Sequence, residues 1–212
     1  KYREAGEEEG RRAIADLCGH PSTARFLATK LVRHFVADDP PPEAVDRLAR
    51  RWIETDGDLS EVSRGLIDLD EAWDPALRKF RTPQDWMTAM LRAVGARDVP
   101  EPVGRLLQQL RQPLWAPSSP KGYGDTKGEW ADPDSLLNRA ELARSTADRL
   151  LAATRGQRAG GGRAVARVDP SRFLDVVDIS ADDPLGTLLT DDAISADERT
   201  ALVFGGPSFQ WR

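Results

Sequence analysis

Apolar residues in this chain recur every three or four positions, in short stretches stopped by proline or glycine. That period matches the turn of an α-helix, so each stretch lays its large side chains along one stripe. Ile14 and Leu17 share a face within 7–18. Pro21 stands where a first helical turn tolerates a missing N–H, and Phe26, Leu27, Leu31 and Phe35 follow it. Pro40, Pro41 and Pro42 stop that helix, because prolines lack donors and push their predecessors out of the α region. Val45, Leu48, Ala49 and Trp52 mark the next helix. Asp58, with Glu61 three residues on, reads as a capping box ahead of Val62, Leu66 and Leu69. Thr82-Pro83 opens another helix with Trp86, Met87, Met90, Leu91 and Val94, and Val103, Leu106, Leu107 and Leu110 make one more. No stretch alternates with the period of a strand. The expected fold is therefore all-α, an irregular multi-helix array with no significant β-sheet.

Residues 112–132 break the periodicity. Pro113, Pro117, Pro120, Gly122 and Gly124 preclude a helix, and the interleaved Trp115, Tyr123 and Trp130 are expected to pack this long Pro/Gly/Trp-rich loop against something. Asp132-Pro133 then caps a long helix carrying Leu136, Leu137, Ala140, Ala143, Ala147 and Leu150. The expected organisation is a main helical domain over 1–154, a flexible Gly/Arg linker over 155–168, and a short helical C-terminal segment over 169–212 that packs back on the main domain. Within that segment the helical patterns fall around 171–177 and 196–204. Glu61–Trp73 and Glu198–Phe209 echo each other, each running a helix into a turn closed by an aromatic, but two copies without a fixed period do not make a solenoid.

Composition excludes several classes. The formal net charge is -5 with 31% charged residues, so no basic excess points to nucleic acid or an anionic membrane. The single cysteine, Cys18, rules out an internal disulfide. No apolar run approaches the roughly 18 residues that span a bilayer. The opening Lys1-Tyr2-Arg3-Glu4 carries no signal-peptide core, which leaves both cytoplasm and periplasm open.

Two segments hold candidate chemistry. Between His20 and Val36, Phe26, Lys30 and His34 stack at i, i+4 and i+8. Leu27, Leu31 and Phe35 flank that stripe and are expected to enter the core. Lys30 and His34 would then lie on the margin of the buried face, where a neutral His34 beside Lys30 could serve as a catalytic base. The plainer alternative has Lys30 stretching its apolar stem along the surface and His34 bonding a carbonyl between helices. Arg25, a candidate binding residue, and Arg33 would pair with acidic neighbours, and His20 reads as a helix-start residue. In the second segment, Lys121 and Gly122 could present a cation and backbone N–H groups to an anion, with Tyr123 and Trp130 as further binding residues. The Walker spacing is absent and no strand precedes the segment, so the alternative is an ordered Ω-loop pinned by its aromatics. Cys18, His20 and His34 would at most complete a metal site with ligands from elsewhere, and no cofactor is named. Gly-x-Ser-x-Gly is absent, and the adjacent pairs Asp38-Asp39, Asp182-Asp183 and Asp191-Asp192 read as caps and solvated turns.

One set of stretches carries a likeness to a known family. They are His20-Pro-Ser-Thr-Ala-Arg-Phe-Leu-Ala-Thr-Lys-Leu-Val-Arg-His-Phe, Asp38-Asp-Pro-Pro-Pro, Asp56-Gly-Asp-Leu, Lys79-Phe-Arg-Thr-Pro, Gln112-Pro with Ser119-Pro-Lys-Gly, Trp130 with Asp132-Pro-Asp-Ser-Leu-Leu-Asn-Arg, and the closing Gly206-Pro-Ser-Phe-Gln-Trp-Arg. In order, over almost the whole chain, they resemble the bacterial family catalogued as domain of unknown function 1800. Gly-Gly-Pro-Ser stands here where the family ends on Ser-Pro-Glu, and the Arg/Gly stretch is a local insertion. The resemblance implies that this chain is the C-terminal half of a longer protein, whose N-terminal half carries a Trp-His-Asn-His-Phe-like stretch. It also implies a possible sulfatase-like partner protein, and it supplies no reaction. The first functional expectation is thus an accessory helical protein that binds a partner subunit through the Trp-rich loop and the acidic tail. The second is an enzyme whose site is shared with the N-terminal half and uses His34 and Lys30. Metal binding is a third.

Overall fold

The chain was analysed as a computed structural model that describes residues 6–93, 103–159, 179 and 184–212, the side chains of 147–159 excepted. Among the described residues it is helical, and the only β-type pairing is an isolated antiparallel bridge between Phe80 and Trp211. The chain divides into two compact units, Lys1–Lys79 and Phe80–Arg212, the division falling inside the expected main domain.

The first unit contains α1 (Glu7–Cys18), α2 (Pro21–Phe35), α3 (Pro42–Glu54), α4 (Leu59–Ile67) and a 3-10 turn, Asp70–Ala72. Its core forms where α2 lies on α3 and α3 on α4. The stripe that α2 buries is Ala24, Ala28 and Val32, each no more than 1% exposed. Leu27 and Leu31 pack against this core while remaining partly buried, whereas Phe35, expected to enter it, points outward. Small residues on the contact stripe let the α3 side chains Val45, Leu48 and Trp52 supply the bulk, as close-packed interiors require. Ile14 and Leu17 are likewise exposed, and α1 buries no residue.

Local chemistry sets the boundaries. The Asp58 carboxylate caps α4 by accepting from the N–H groups of Ser60 and Glu61 at 2.8 and 3.1 Å. Glu61 turns to Arg51 and Arg64. After α3 the chain reverses through Asp56 and Gly57, both at positive φ, and the Gly57 N–H reaches the Trp52 carbonyl at 2.8 Å. A Cβ on Gly57 would sit 3.3 Å from the Trp52 indole, so this glycine also makes room for the ring. The same indole donates to the Cys18 carbonyl at 3.1 Å, tying the end of α1 to α3. Lys79, 3% exposed, meets the Asp38 carboxylate at 2.5 Å.

The second unit contains α5 (Pro83–Ala93), α6 (Val103–Gln109), α7 (Lys127–Trp130), α8 (Pro133–Ala159), α9 (Pro184–Thr190), α10 (Ala196–Gly205) and a 3-10 turn, Ser208–Gln210. Helix α8 runs to Ala159, so 155–159 are helical where a flexible linker was expected. The remainder of that linker and the pattern around 171–177 lie outside the described residues. Along α10 a full capping box between Ser195 and Glu198 fixes the start. The core gathers Trp86, Met87, Met90, Leu107, Leu142, Leu189, Val203, Phe204 and Phe209. Its last residues close on its first. The Trp86 indole donates to the Phe204 carbonyl at 2.9 Å, the Arg81 N–H to the Gln210 carbonyl at 2.7 Å, and the Arg81 guanidinium to the Phe209 carbonyl at 2.7 Å.

Helix α8 buries Ser135, Arg139, Leu142 and Ala143, whereas Leu136, Leu137 and Ala140 are exposed, one step off the stripe expected from sequence. Arg139 is 0% exposed. Its guanidinium lies 4.9 Å from the centre of the Phe80 ring and 6.0 Å from that of Trp86, and it donates to the Gln210 amide oxygen at 2.8 Å. Among the described residues its Nε and second Nη have no hydrogen-bond partner, and burial lowers its pKa to about 10.

Two substitutions test these cores. Val32→Ala should lower stability by about 1–3 kcal/mol in urea titrations, and Phe35→Ala by less than about 1 kcal/mol, because only the first opens a cavity. The reverse order would restore the larger side chains to the core. Arg139→Met should leave stability unchanged or raise it, since an apolar side chain of similar length removes two unsatisfied donors, whereas Gln210→Ala should cost about 1–3 kcal/mol by stripping the cation of its acceptor.

Candidate functional site

Helix α2 starts at His20, whose Nδ1 accepts from the Ser22 N–H at 3.1 Å, so the imidazole is the N-cap. From there Phe26, Lys30 and His34 run along the helix on one stripe, and all three are exposed, Phe26 at 63%. The His34 ring meets Phe35 edge-on, with centroids 4.6 Å apart. Arg25 pairs with Asp46 of α3, and Arg33 donates to the Asp38 carbonyl at 3.3 Å. The stripe is thus a solvent face, because the seam of α2 with α3 runs through Ala24, Ala28 and Val32 on the other side.

The loop that follows α6 is built differently. Arg111 ends α6 in the left-handed region at φ 64°, and the Gln112 N–H bonds the Leu107 carbonyl at 2.8 Å. The Gln112 side chain, 7% exposed, accepts from the Gln84 N–H at 2.7 Å, and this fixes where the loop leaves the unit. Two aromatics fix the return. The Tyr123 hydroxyl donates to the Pro113 carbonyl, and the Trp130 indole donates to the Gly124 carbonyl at 3.0 Å. Their rings stand 6.3 Å apart, and Trp130 is 6% exposed. At the base, Arg111 reaches the Asp132 carboxylate and the Ser135 hydroxyl, while Asp132 caps α8 by accepting from the Ser135 N–H at 3.1 Å. The Ser135 hydroxyl, its N–H and then Arg111 hold the Asp132 carboxyl below its ordinary value.

Between these anchors the chain exposes Leu114 and Trp115. Trp115 is 98% exposed and adopts φ 57°, a left-handed conformation that costs an L-residue about 1–2 kcal/mol. Sequence reasoning expected this tryptophan to pack with its neighbours. The structure instead pins Tyr123 and Trp130 and leaves Trp115 outside. Composition carries no signal for the difference, since all three are aromatics in one loop. Of the anion-site candidates, Gly122 has φ 85°, Lys121 is exposed, and the Lys121 N–H is taken by the Ser119 hydroxyl at 3.2 Å. That engaged N–H and the two aromatic pins match the Ω-loop alternative better than an anion cradle.

Among the described residues, no three His, Cys, Asp or Glu side chains converge as a metal site, and no helix is long and apolar enough to cross a membrane.

The lowered Asp132 value carries a pH signature. A carboxyl depressed on folding contributes stability above its unfolded value, about 3.9, and loses it as the pH falls through the folded value. Amide-exchange protection of the Ser135 N–H should therefore weaken progressively in acid below about pH 4. Asp132→Asn should remove that pH dependence, and a dependence unchanged in the variant would refute the assignment.

A family model described as "Protein of unknown function (DUF1800)" matches residues 1–211. No curated protein and no solved structure matches the chain.

Proposed function

The chain belongs to the DUF1800 family, proteins of unknown function, and from the geometry of its loop we propose that it is a helical accessory module that binds a protein partner through Trp115. The observation that carries this reading is a fully presented tryptophan on a strained backbone, held between two hydrogen-bonded anchors. Tryptophan is enriched among interface anchors. A loop whose backbone is already held at both ends loses little backbone freedom on binding. Leu114 beside it, 47% exposed, widens the apolar contact. The sulfatase-like protein implied by the family resemblance is the first partner to test.

An enzymatic reading would need Lys30 and His34 to be covered by a further surface. Both stand on the exposed face of α2, and that face supports contact with another surface more directly than it supports chemistry. A metal reading through His20 is weakened because its Nδ1 already accepts the capping bond.

The test is affinity purification of the native protein from its host, beside its Trp115→Ala variant. A partner should co-purify with the native protein. Its affinity should fall at least about 30-fold in the variant, the scale of a hot-spot tryptophan, while the melting temperature stays the same. A partner retained at full affinity by Trp115→Ala would refute the proposal, as would the absence of any stoichiometric partner.

A further inference from the structure

A groove of about 740 Å³ lies where α8, α9 and α10 meet, within the range of roughly 300–1,000 Å³ usual for small-molecule sites. Its walls are apolar and include Leu185, Leu188, Ile194 and Leu202, and Leu188 remains 40% exposed. Close backbone contact shapes one end. A Cβ on Gly205 would lie 3.2 Å from the Cα of Ala140, and one on Gly206 would lie 2.7 Å from the Leu202 carbonyl and 2.9 Å from the Leu185 side chain. Glycine at 205 therefore allows α10 to approach α8 closely, and glycine at 206 leaves room for the Leu185 side chain of α9 and the Leu202 carbonyl.

Two ionisable side chains line the groove, Arg144 and Glu198. They differ in how far their charge is already engaged. The Glu198 carboxylate accepts from the Ser195 N–H at 3.1 Å and from the Ser195 hydroxyl at 2.8 Å, and those bonds hold its pKa below the ordinary value. Arg144, on the exposed face of α8, forms no ion pair among the described residues. The charge available to a ligand is thus a guanidinium at the side of an apolar trough.

We propose that this groove binds a long-chain carboxylate, with the hydrocarbon along Leu185, Leu188, Ile194 and Leu202 and the carboxylate on Arg144. Charge and shape both select that class. The planar guanidinium offers paired donors that match a carboxylate, and each methylene removed from water against the walls adds to the binding. A nucleotide or sugar would strip many polar groups of water against walls with few partners for them. An apolar peptide would bring backbone N–H and carbonyl groups that meet the same difficulty.

The experiment is titration of the purified chain with hexadecanoate, with hexadecanol as its uncharged counterpart, followed calorimetrically and by displacement of a fluorescent fatty acid. Hexadecanoate should bind at a single site and more tightly than the alcohol. Arg144→Met should weaken the carboxylate at least about tenfold and leave the alcohol unchanged. Ile194→Asp should weaken both. Because Arg144 is exposed, its variant should fold normally, and far-ultraviolet circular dichroism with the melting temperature checks this for both variants. Three results would each overturn the proposal. They are no saturable binding of hexadecanoate, equal affinity for acid and alcohol that Arg144→Met does not change, and displacement of the fluorescent probe by an apolar peptide ending in a free carboxylate but not by hexadecanoate.

Discussion

A fully buried guanidinium, that of Arg139, sits at the point where the second unit closes on itself. Phe80 and Trp86 come from the unit's first residues, Gln210 from its last, and Arg139 from the helix between them. A buried cation needs compensation, and here two ring faces and one amide oxygen touch it directly while the Asp132 and Asp85 carboxylates favour its charge through space. The arrangement fixes more than a charge. Gln210 can reach Arg139 only if the chain after α10 turns back through Gly206 and Pro207. The Gln210 side chain also donates to the Phe204 and Gly206 carbonyls at 3.2 Å, which ties that turn down. The groove between α8, α9 and α10 inherits its shape from this closure, because Gly205, Gly206 and Pro207 form one of its ends.

The first unit rests on a different constraint, the narrow seam of Ala24, Ala28 and Val32. Small residues bring two helix axes close, and the partner helix then supplies the bulk. One consequence is that the large side chains of α2 are turned aside or outward. Phe26 and Phe35 keep more than half of their surface in water, and Ile14 and Leu17 on α1 do the same. Several large apolar side chains exposed on two neighbouring helices are more than scattered surface residues require. This outer face of α1 and α2 therefore agrees with a chain that meets other surfaces.

Helix positions, their caps and, among the described residues, the absence of sheet were legible in the sequence because they depend on local rules. The Asp58 cap, the stop at Pro40–Pro42 and the start at Thr82-Pro83 all lie near their expected places. Which face of each helix is buried was less legible. Periodicity cannot separate an outward Phe26 and Phe35 from an inward one when alanines occupy the neighbouring stripe, and size alone pointed the wrong way. Arg139 was invisible for a related reason. A charged residue at helical spacing reads as solvent-facing, and only the aromatic and amide groups near both ends of the unit make its burial tolerable. Among the site residues, the pairing of Arg25 with Asp46 of α3, 21 residues away, depended on tertiary packing, whereas the capping role of His20 followed from local spacing. The exposure of Lys30 and His34 depended on the seam and did not.

The loop after α6 shows how such a fold can carry a strained residue. A left-handed tryptophan costs about 1–2 kcal/mol, more than a typical net hydrogen bond returns. It persists when the flanking chain is over-determined. Here the flanks are held by the buried Gln112, by the Tyr123 and Trp130 hydrogen bonds, and by Arg111 bridging to the Asp132 cap. With so many anchors, relaxing Trp115 to an ordinary backbone would require breaking bonds at the foot of the loop. The backbone that presents the indole is therefore held by the same contacts that order the loop, and a partner that received the indole would gain apolar burial without having to order that backbone.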